Sequence, residues 1–152
     1  MTFIELMFLE SFDTNFKITK KEVGNLGVEL YYLDMEKEYR IFIEEVDFYL
    51  HIGFERKILD SWTVTPITDD LSTKDILGLF GTIKTLIESR KFKGIWIETD
   101  NSKKHQLYFN IINRLNREIK FTLVRDDYSV FLYGDKFYVP NIKNKFRYKK
   151  LF

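Results

Sequence analysis

The candidates for a catalytic base in this 152-residue sequence are glutamates. Glu98 stands two residues after Trp96, near the end of a short β-pattern, and burial there would raise the pKa of its carboxyl toward the range that a general base needs. Glu44 and Glu45 are adjacent in another β-pattern, so their side chains point to opposite faces of a sheet and do not cooperate. We therefore predict Glu98 as the candidate acid–base residue.

Residue types exclude several other kinds of site. The sequence contains no cysteine, which rules out disulfides, thiolate nucleophiles and cysteine-based zinc or iron–sulfur sites. Its two histidines, His51 and His105, are too few for a histidine-rich metal site, and no metal is predicted. We predict that the first is an ordinary strand residue and the second an ordinary helix-surface residue. No nucleophile-elbow pattern is present in the sequence.

Gly78 and Gly81 interrupt a pattern that is otherwise helical. A capping box spans residues 72–75, and apolar residues recur at helical spacing over residues 76–87. Each glycine costs roughly 1 kcal/mol relative to alanine inside a helix, so each needs a structural reason. Either another element packs closely against the glycines, or the helix begins near Phe80 and the glycines form a loop whose N–H groups bind an anion.

The elements that would position these residues begin with a β-meander. β-branched and aromatic residues dominate the first half of the chain, and turn residues separate the runs at residues 24–27, at Gly53 and at residues 55–57. The predicted strands cover residues 3–12, 16–23, 28–33, 39–46, 48–54 and 58–67.

The second half of the chain predicts an α/β layer attached to the meander. After the first helix come a strand at residues 94–99, a helix around residues 107–115, and strands at residues 119–124 and 128–133. No linker or internal repeat divides the chain. The sequence therefore predicts a single α+β (α/β) domain over residues 1–135. Its sheet is mixed and mainly antiparallel, with an N-terminal meander and two main helices packed on it.

Charge is unevenly distributed, although the whole chain carries a net charge of only +1. Residues 29–60 contain nine acidic and four basic side chains, a net charge of −5. The functional interpretation is an acidic surface that attracts an amine substrate or a basic partner. The structural interpretation is the solvated face of an antiparallel sheet, which must be polar on one side.

Residues 136–152 form a basic segment that is rich in aromatic side chains. It contains six bases and no acid. Such a segment can bind a nucleic-acid backbone and stack bases, or it can dock on its own domain or on a protein partner. A third alternative is a homo-oligomer in which the segment binds the acidic meander of another copy. We favour docking over nucleic-acid binding.

Several short motifs resemble the GNAT superfamily of N-acetyltransferases. Asn101 is followed after six residues by Tyr108, and Leu107 stands directly before the tyrosine. The Gly81-Thr82 pair, taken as standing ahead of the amphipathic helix, and the strand end Val64-Thr65-Pro66 are also similar to that family. The similarity covers roughly residues 61–133, and it adds the expectation that the α+β sheet is GNAT-like.

The resemblance implies transfer of an acetyl group from acetyl-CoA to an amine by direct attack. In such enzymes a carboxylate or water accepts the proton of the amine, and a tyrosine protonates the leaving thiolate. On this resemblance Tyr108 is the general acid, and Glu98 is the carboxylate that we assign to proton transfer. The implied acetyl-CoA ligands are Gly78, Gly81, Thr82 and Asn101.

The acetyl-CoA loop departs from the family pattern at two positions. The family reads Gln/Arg-x-x-Gly-x-Gly/Ala, and Ile76 and Leu79 stand at the first and middle signature positions. Leu79 puts a side chain where backbone amides approach phosphate, and Ile76 cannot donate a hydrogen bond. The alternative function is a catalytically silent GNAT-like module that serves as a protein-binding or structural assembly component, with both side chains filling the cofactor cleft.

Membrane and export signals are not evident in the sequence. The apolar runs are far shorter than the roughly 20 residues that span a bilayer, and Glu5 and Glu10 stand where a signal peptide carries positive charge. We therefore predict a soluble, cytoplasmic protein without membrane contact.

Overall fold

The computed structural model describes residues 15–64, 71–98, 105–125, 129–134 and 142–148. Its elements are β1 (Ile18–Val23), a 3-10 turn (Asn25–Gly27), β2 (Glu29–Leu33), β3 (Tyr39–Val46), β4 (Tyr49–Ile58), β5 (Ser61–Val64), α1 (Thr73–Ile87), β6 (Gly94–Glu98), α2 (His105–Ile119), β7 (Thr122–Arg125), β8 (Ser129–Tyr133) and α3 (Ile142–Lys145). The predicted succession of meander, helix, strand, helix and two closing strands is confirmed. The strand predicted over residues 3–12 lies outside the described residues.

The strands form one sheet of mixed direction. Their order is β1-β2-β3-β4-β6-β8-β7, and β5 pairs with the second half of β4. Adjacent strands run antiparallel except β4 and β6, which run parallel. Because α1 lies between these two strands in the chain, it is part of their crossover connection. The prediction of an α+β fold with a mainly antiparallel sheet is confirmed.

Side chains alternate between two buried faces of the sheet, as β4 shows. Leu50, Ile52 and Phe54 join the core cluster that includes α1 and α2, and we call this the helix face. Tyr49 and His51 lie on the opposite face, against residues 142–148. We call this opposite face the segment face, and residues 142–148 the docked segment.

Strand β4 continues through Gly53 and residues 55–57, where the sequence predicted a turn. A Cβ added at Gly53 would lie 2.4 Å from Cζ of Phe42, its partner on β3, so the phenylalanine ring covers the glycine. The carboxylate of Glu55 forms an ion pair with Arg40, which is also on β3. The predicted turn was wrong because both turn signals are satisfied by side chains of the neighbouring strand.

The hairpin turn between β3 and β4 consists of Asp47 and Phe48. Both residues have positive φ, 52° and 67°, as a two-residue type I′ turn requires. Phe48 therefore belongs to the turn, and β4 begins one residue later than predicted. The turn between β4 and β5 lies at residues 59–60.

Helix α1 begins at the predicted capping box. The side-chain oxygen of Ser72 accepts a hydrogen bond from the backbone N–H of Asp75 at 3.1 Å. The helix starts at Thr73, so Gly78 and Gly81 are both inside it rather than in a loop. Among the helices in the described ranges, none is long and apolar enough to cross a membrane.

Candidate functional site

The two predicted catalytic residues lie on either side of the connection between β6 and α2. Glu98 is the last residue of β6, and Tyr108 lies in the first turn of α2. The parallel pairing of β4 with β6 ends at Ile52 and Ile97, just before this connection. Asn101, a predicted cofactor ligand, lies outside the described residues. The fold thus places both catalytic candidates in the region that follows the carboxyl end of the parallel strand pair.

Two of the predicted cofactor-binding residues contact the chain itself. A Cβ at Gly78 would lie 2.7 Å from Cε2 of Phe16, so the absence of a side chain lets this ring approach α1 closely. The hydroxyl of Thr82 accepts a hydrogen bond from the backbone N–H of Phe16 at 2.9 Å and donates one to the carbonyl of Gly78 at 2.8 Å. Close packing by another element, one of the two explanations offered for the glycines, is confirmed at Gly78. The role of these residues in acetyl-CoA binding stays a prediction.

The two residues that depart from the family loop are in the core. Ile76 and Leu79 are fully buried in the first half of α1 and belong to the cluster on the helix face. Gly81 is buried in the same helix. This stretch of α1 is therefore continuous, packed helix, with its interior N–H groups in the positions that form intrahelical hydrogen bonds.

The segment face contains buried charged side chains that the sequence did not single out as a site. The buried polar residues on this face are Arg40, Glu44, His51 and Glu55. Glu45, next to Glu44, is exposed, which confirms that the two carboxylates point to opposite faces. Buried ionisable groups need partners, and here each carboxylate has partners in the docked segment.

The carboxylate of Glu44 binds the backbone of the docked segment. Its two oxygens accept hydrogen bonds from the N–H groups of Arg147 at 2.7 Å and of Tyr148 at 3.0 Å. Nδ1 of His51 lies 3.8 Å from the same carboxylate. Burial acts to raise the pKa of Glu44, but the histidine and the two backbone donors outweigh it and hold this pKa below the ordinary value of 4.5.

Glu55 is the second carboxylate that contacts the docked segment. Its Oε1 accepts hydrogen bonds from Nε of Arg40 at 3.0 Å and from the hydroxyl of Tyr148 at 2.7 Å. Burial, and then the hydrogen bond and negative charge of Glu55, raise the pKa of Tyr148 well above its ordinary value. The phenol therefore remains protonated and donates. Arg40 also donates to the hydroxyl of Tyr32, which in turn donates to Glu22 on β1, so the network crosses the sheet.

Aromatic rings of the segment face surround the apolar side chains of the docked segment. Phe146 is buried and stacks on Trp96 with ring centroids 5.6 Å apart. The ring of His51 lies between them and Phe42, at 4.4 Å from Trp96 and 5.1 Å from Phe42. Ile142 is buried in the same cluster. The segment face can therefore recognise one aromatic and one aliphatic side chain of a peptide in addition to its backbone.

The acidic meander is therefore not simply a solvated surface. Glu44 and Glu55 are buried, and the exposed Asp47 pairs with Lys145 of the docked segment at 3.1 Å. One signal could have found this face: Arg40 and Glu44, like His51 and Glu55, are separated by an even number of positions, so each pair lies on one face of its strand. The face offers hydrogen-bond acceptors and aromatic contacts.

Within the described ranges, no group of three His, Asp or Glu side chains could hold a metal ion.

The Glu44 contact predicts that docking of the segment depends on pH. Because the pKa of Glu44 is lowered in the folded protein, its stabilising effect is complete above about pH 4.5 and is lost as the pH falls through the folded value. We expect the near-ultraviolet circular dichroism of the aromatic cluster to decrease over that range. At neutral pH, Glu44→Gln should weaken docking of the segment by about 1–3 kcal/mol. The circular dichroism of this variant should also change less as the pH is lowered. Identical acid profiles for both proteins would contradict the assignment.

Comparisons of the chain with protein-family models, with curated proteins and with solved structures found no match.

Proposed function

We propose that this chain is a catalytically silent, GNAT-like module that acts by binding protein rather than by binding acetyl-CoA. The observation that carries the proposal is the state of α1. Where the family has a Gly-rich loop that holds pyrophosphate, this chain has helix interior with Ile76 and Leu79 fully buried. Gly78, which would stand within such a loop, is covered by the ring of Phe16.

The GNAT-like part of the proposal is supported by the order of the elements. A meander is followed by a helix, a strand that joins the sheet in parallel, a second helix and an antiparallel pair of strands. A GNAT-like order of elements with packed helix in place of the loop is consistent with a module that has lost the cofactor.

Protein binding is supported by the segment face. This face holds a seven-residue segment through buried carboxylates, backbone hydrogen bonds and an aromatic cluster. Backbone hydrogen bonds combined with side-chain pockets are the means by which domains recognise peptides. The rings of Phe146 and Tyr148 lie against the sheet, so in this arrangement they are not presented to nucleic-acid bases.

An acetyl-CoA-dependent N-acetyltransferase is the second candidate, and the positions of Glu98 and Tyr108 favour it. Both follow the carboxyl end of the parallel pair of strands, which is where open α/β sheets bind ligands. In this reaction the amine nitrogen attacks the thioester carbonyl carbon, Glu98 accepts the amine proton, and Tyr108 gives a proton to the departing thiolate. Asn101 would be a ligand on the cofactor side.

Calorimetric titration of the full chain with acetyl-CoA and with CoA tests the choice between these functions. We expect no heat of binding and no change in melting temperature at about 1 mM ligand, because the N–H groups around Gly78 and Gly81 lie inside α1, in positions that form intrahelical hydrogen bonds. Binding at micromolar concentration would overturn the proposal in favour of the enzyme. In that case Tyr108→Phe, the matched variant, should keep acetyl-CoA affinity while slowing acetyl transfer to an amine.

A further inference from the structure

The groups that receive the docked segment are positioned by the sheet itself. Arg40 and Glu55 pair with each other across β3 and β4. The imidazole of His51 lies close to Glu44 across the same two strands. These contacts do not involve residues 142–148, so both carboxylates have partners within the sheet before the segment binds. A surface organised in this way loses little entropy when a peptide binds to it.

Charged side chains make the segment face different from the helix face. The buried cluster of the helix face consists of aliphatic residues, phenylalanines and tyrosines. The segment face instead buries Arg40, Glu44 and Glu55. Buried ion pairs are often no more stabilising than apolar residues of similar volume, whereas ionised groups are well hydrated when they are exposed. With these charged residues, the segment face is suited to being covered at some times and open to water at others.

The features that the segment face recognises are few and belong to a short peptide. They are the buried side chains of Ile142 and Phe146, the ammonium of Lys143 over the ring of Trp96, the hydroxyl of Tyr148, and the backbone N–H groups of residues 147 and 148. The ion pair of Lys145 with Asp47 is exposed and adds little. A second polypeptide with the same residues could make each of these contacts.

We propose that the segment face is an assembly site that accepts the docked segment of a second copy of the chain in exchange for its own. This inference rests on the proposed function as a protein-binding module and names the partner. The second copy is the occupant because residues 142–148 are the sequence that this face fits. The segment is also basic, and the meander over residues 29–60 has a net charge of −5. Exchange of an identical element between copies preserves every contact of the docked state.

Two full-length variants test the exchange by complementation. Phe146→Ala damages the segment and leaves the face intact, whereas Glu44→Lys damages the face and leaves the segment intact. We expect each variant alone to sediment as a monomer at about 100 µM, and the equimolar mixture to form a heterodimer at least about tenfold more tightly than either variant self-associates. Two folded variants that sediment as monomers when mixed would overturn the proposal. If Glu44→Lys does not fold, Glu44→Gln takes its place.

A labelled peptide of residues 142–148 provides a second measurement on the full chain. We expect fluorescence anisotropy to show binding to Phe146→Ala that is at least about tenfold tighter than binding to the wild type, whose own segment occupies the face. A peptide that carries Phe146→Ala is the matched control and should not bind. Absence of peptide binding to the folded variant overturns the site, and peptide binding without a heterodimer overturns the second copy as its occupant.

The acetyl-CoA titration distinguishes failure of this inference from failure of the proposed function. If acetyl-CoA does not bind and the mixed variants remain monomeric, the inference falls and the silent module stands. If acetyl-CoA binds, the proposed function falls whatever the mixture does.

Discussion

Replacing Arg40 by methionine is expected to destabilise the protein by about 3–5 kcal/mol. The guanidinium donates to the fully buried carboxylate of Glu55 at 3.0 Å and to the hydroxyl of Tyr32 at 2.8 Å. Methionine preserves much of the side-chain volume but supplies neither the charge nor the donors. Chemical denaturation of the wild type and the variant, monitored by far-ultraviolet circular dichroism, measures the difference in the free energy of unfolding.

A second substitution separates the lost charge from the lost packing. In the Arg40→Met background, Glu55→Gln should recover most of the stability, because a neutral amide needs no counter-ion and can still accept the hydrogen bond from Tyr148. A loss below about 1 kcal/mol for Arg40→Met would show that the pair is dispensable. Equal stability of the single and double variants would show that charge is not the cause.

Replacing Gly53 by alanine is expected to cost about 1–3 kcal/mol, through overpacking in the middle of β4. The new methyl group would lie 2.4 Å from Cζ and 2.5 Å from Cε1 of Phe42. That ring cannot move freely, because it is almost fully buried and contacts His51 and Tyr148 on the segment face. Thermal unfolding of the variant measures the cost, and amide hydrogen exchange at residues 147 and 148 should report weaker docking.

The matched control for Gly53→Ala is the same change in a Phe42→Leu background. Leucine is smaller at the point of collision, so alanine at position 53 should cost less there than in the wild type. The difference between the losses of unfolding free energy in the two backgrounds measures the coupling between the side chain at position 42 and the residue at position 53. If alanine costs the same in both backgrounds, the ring is not the reason that glycine occupies this position.

Local signals in the sequence predicted much of the fold. The capping box before Thr73 and the apolar spacing of α1 placed the first helix, and alternating β-patterns placed most strands within a few residues. The error in β4 has a different origin. Gly53 and the charged residues after it are typical of turns, and what keeps them in a strand is Phe42 and Arg40 on β3, which local spacing does not reveal.

The segment face could not be predicted from spacing for the same reason. The partners of Glu44 in the docked segment are more than 100 residues away in the chain. Sequence alone assigns such a glutamate to a solvated face, because burial of a charge depends on partners that only the fold brings together. Tyr108, in contrast, was selected by a family motif, and Glu98 by its place near Trp96 at a strand end; their catalytic roles stay predictions.

The long separation along the chain between the segment face and the docked segment has a consequence during synthesis. Tyr148 follows Glu55 by 93 residues, so at ~5–20 residues per second a ribosome exposes the face for about 5–20 s before the segment emerges. An apolar sheet surface left open for that time would invite aggregation of the nascent chain. Arg40, Glu44 and Glu55 give this surface charges that water solvates, which opposes aggregation of the nascent chain until residues 142–148 have been made.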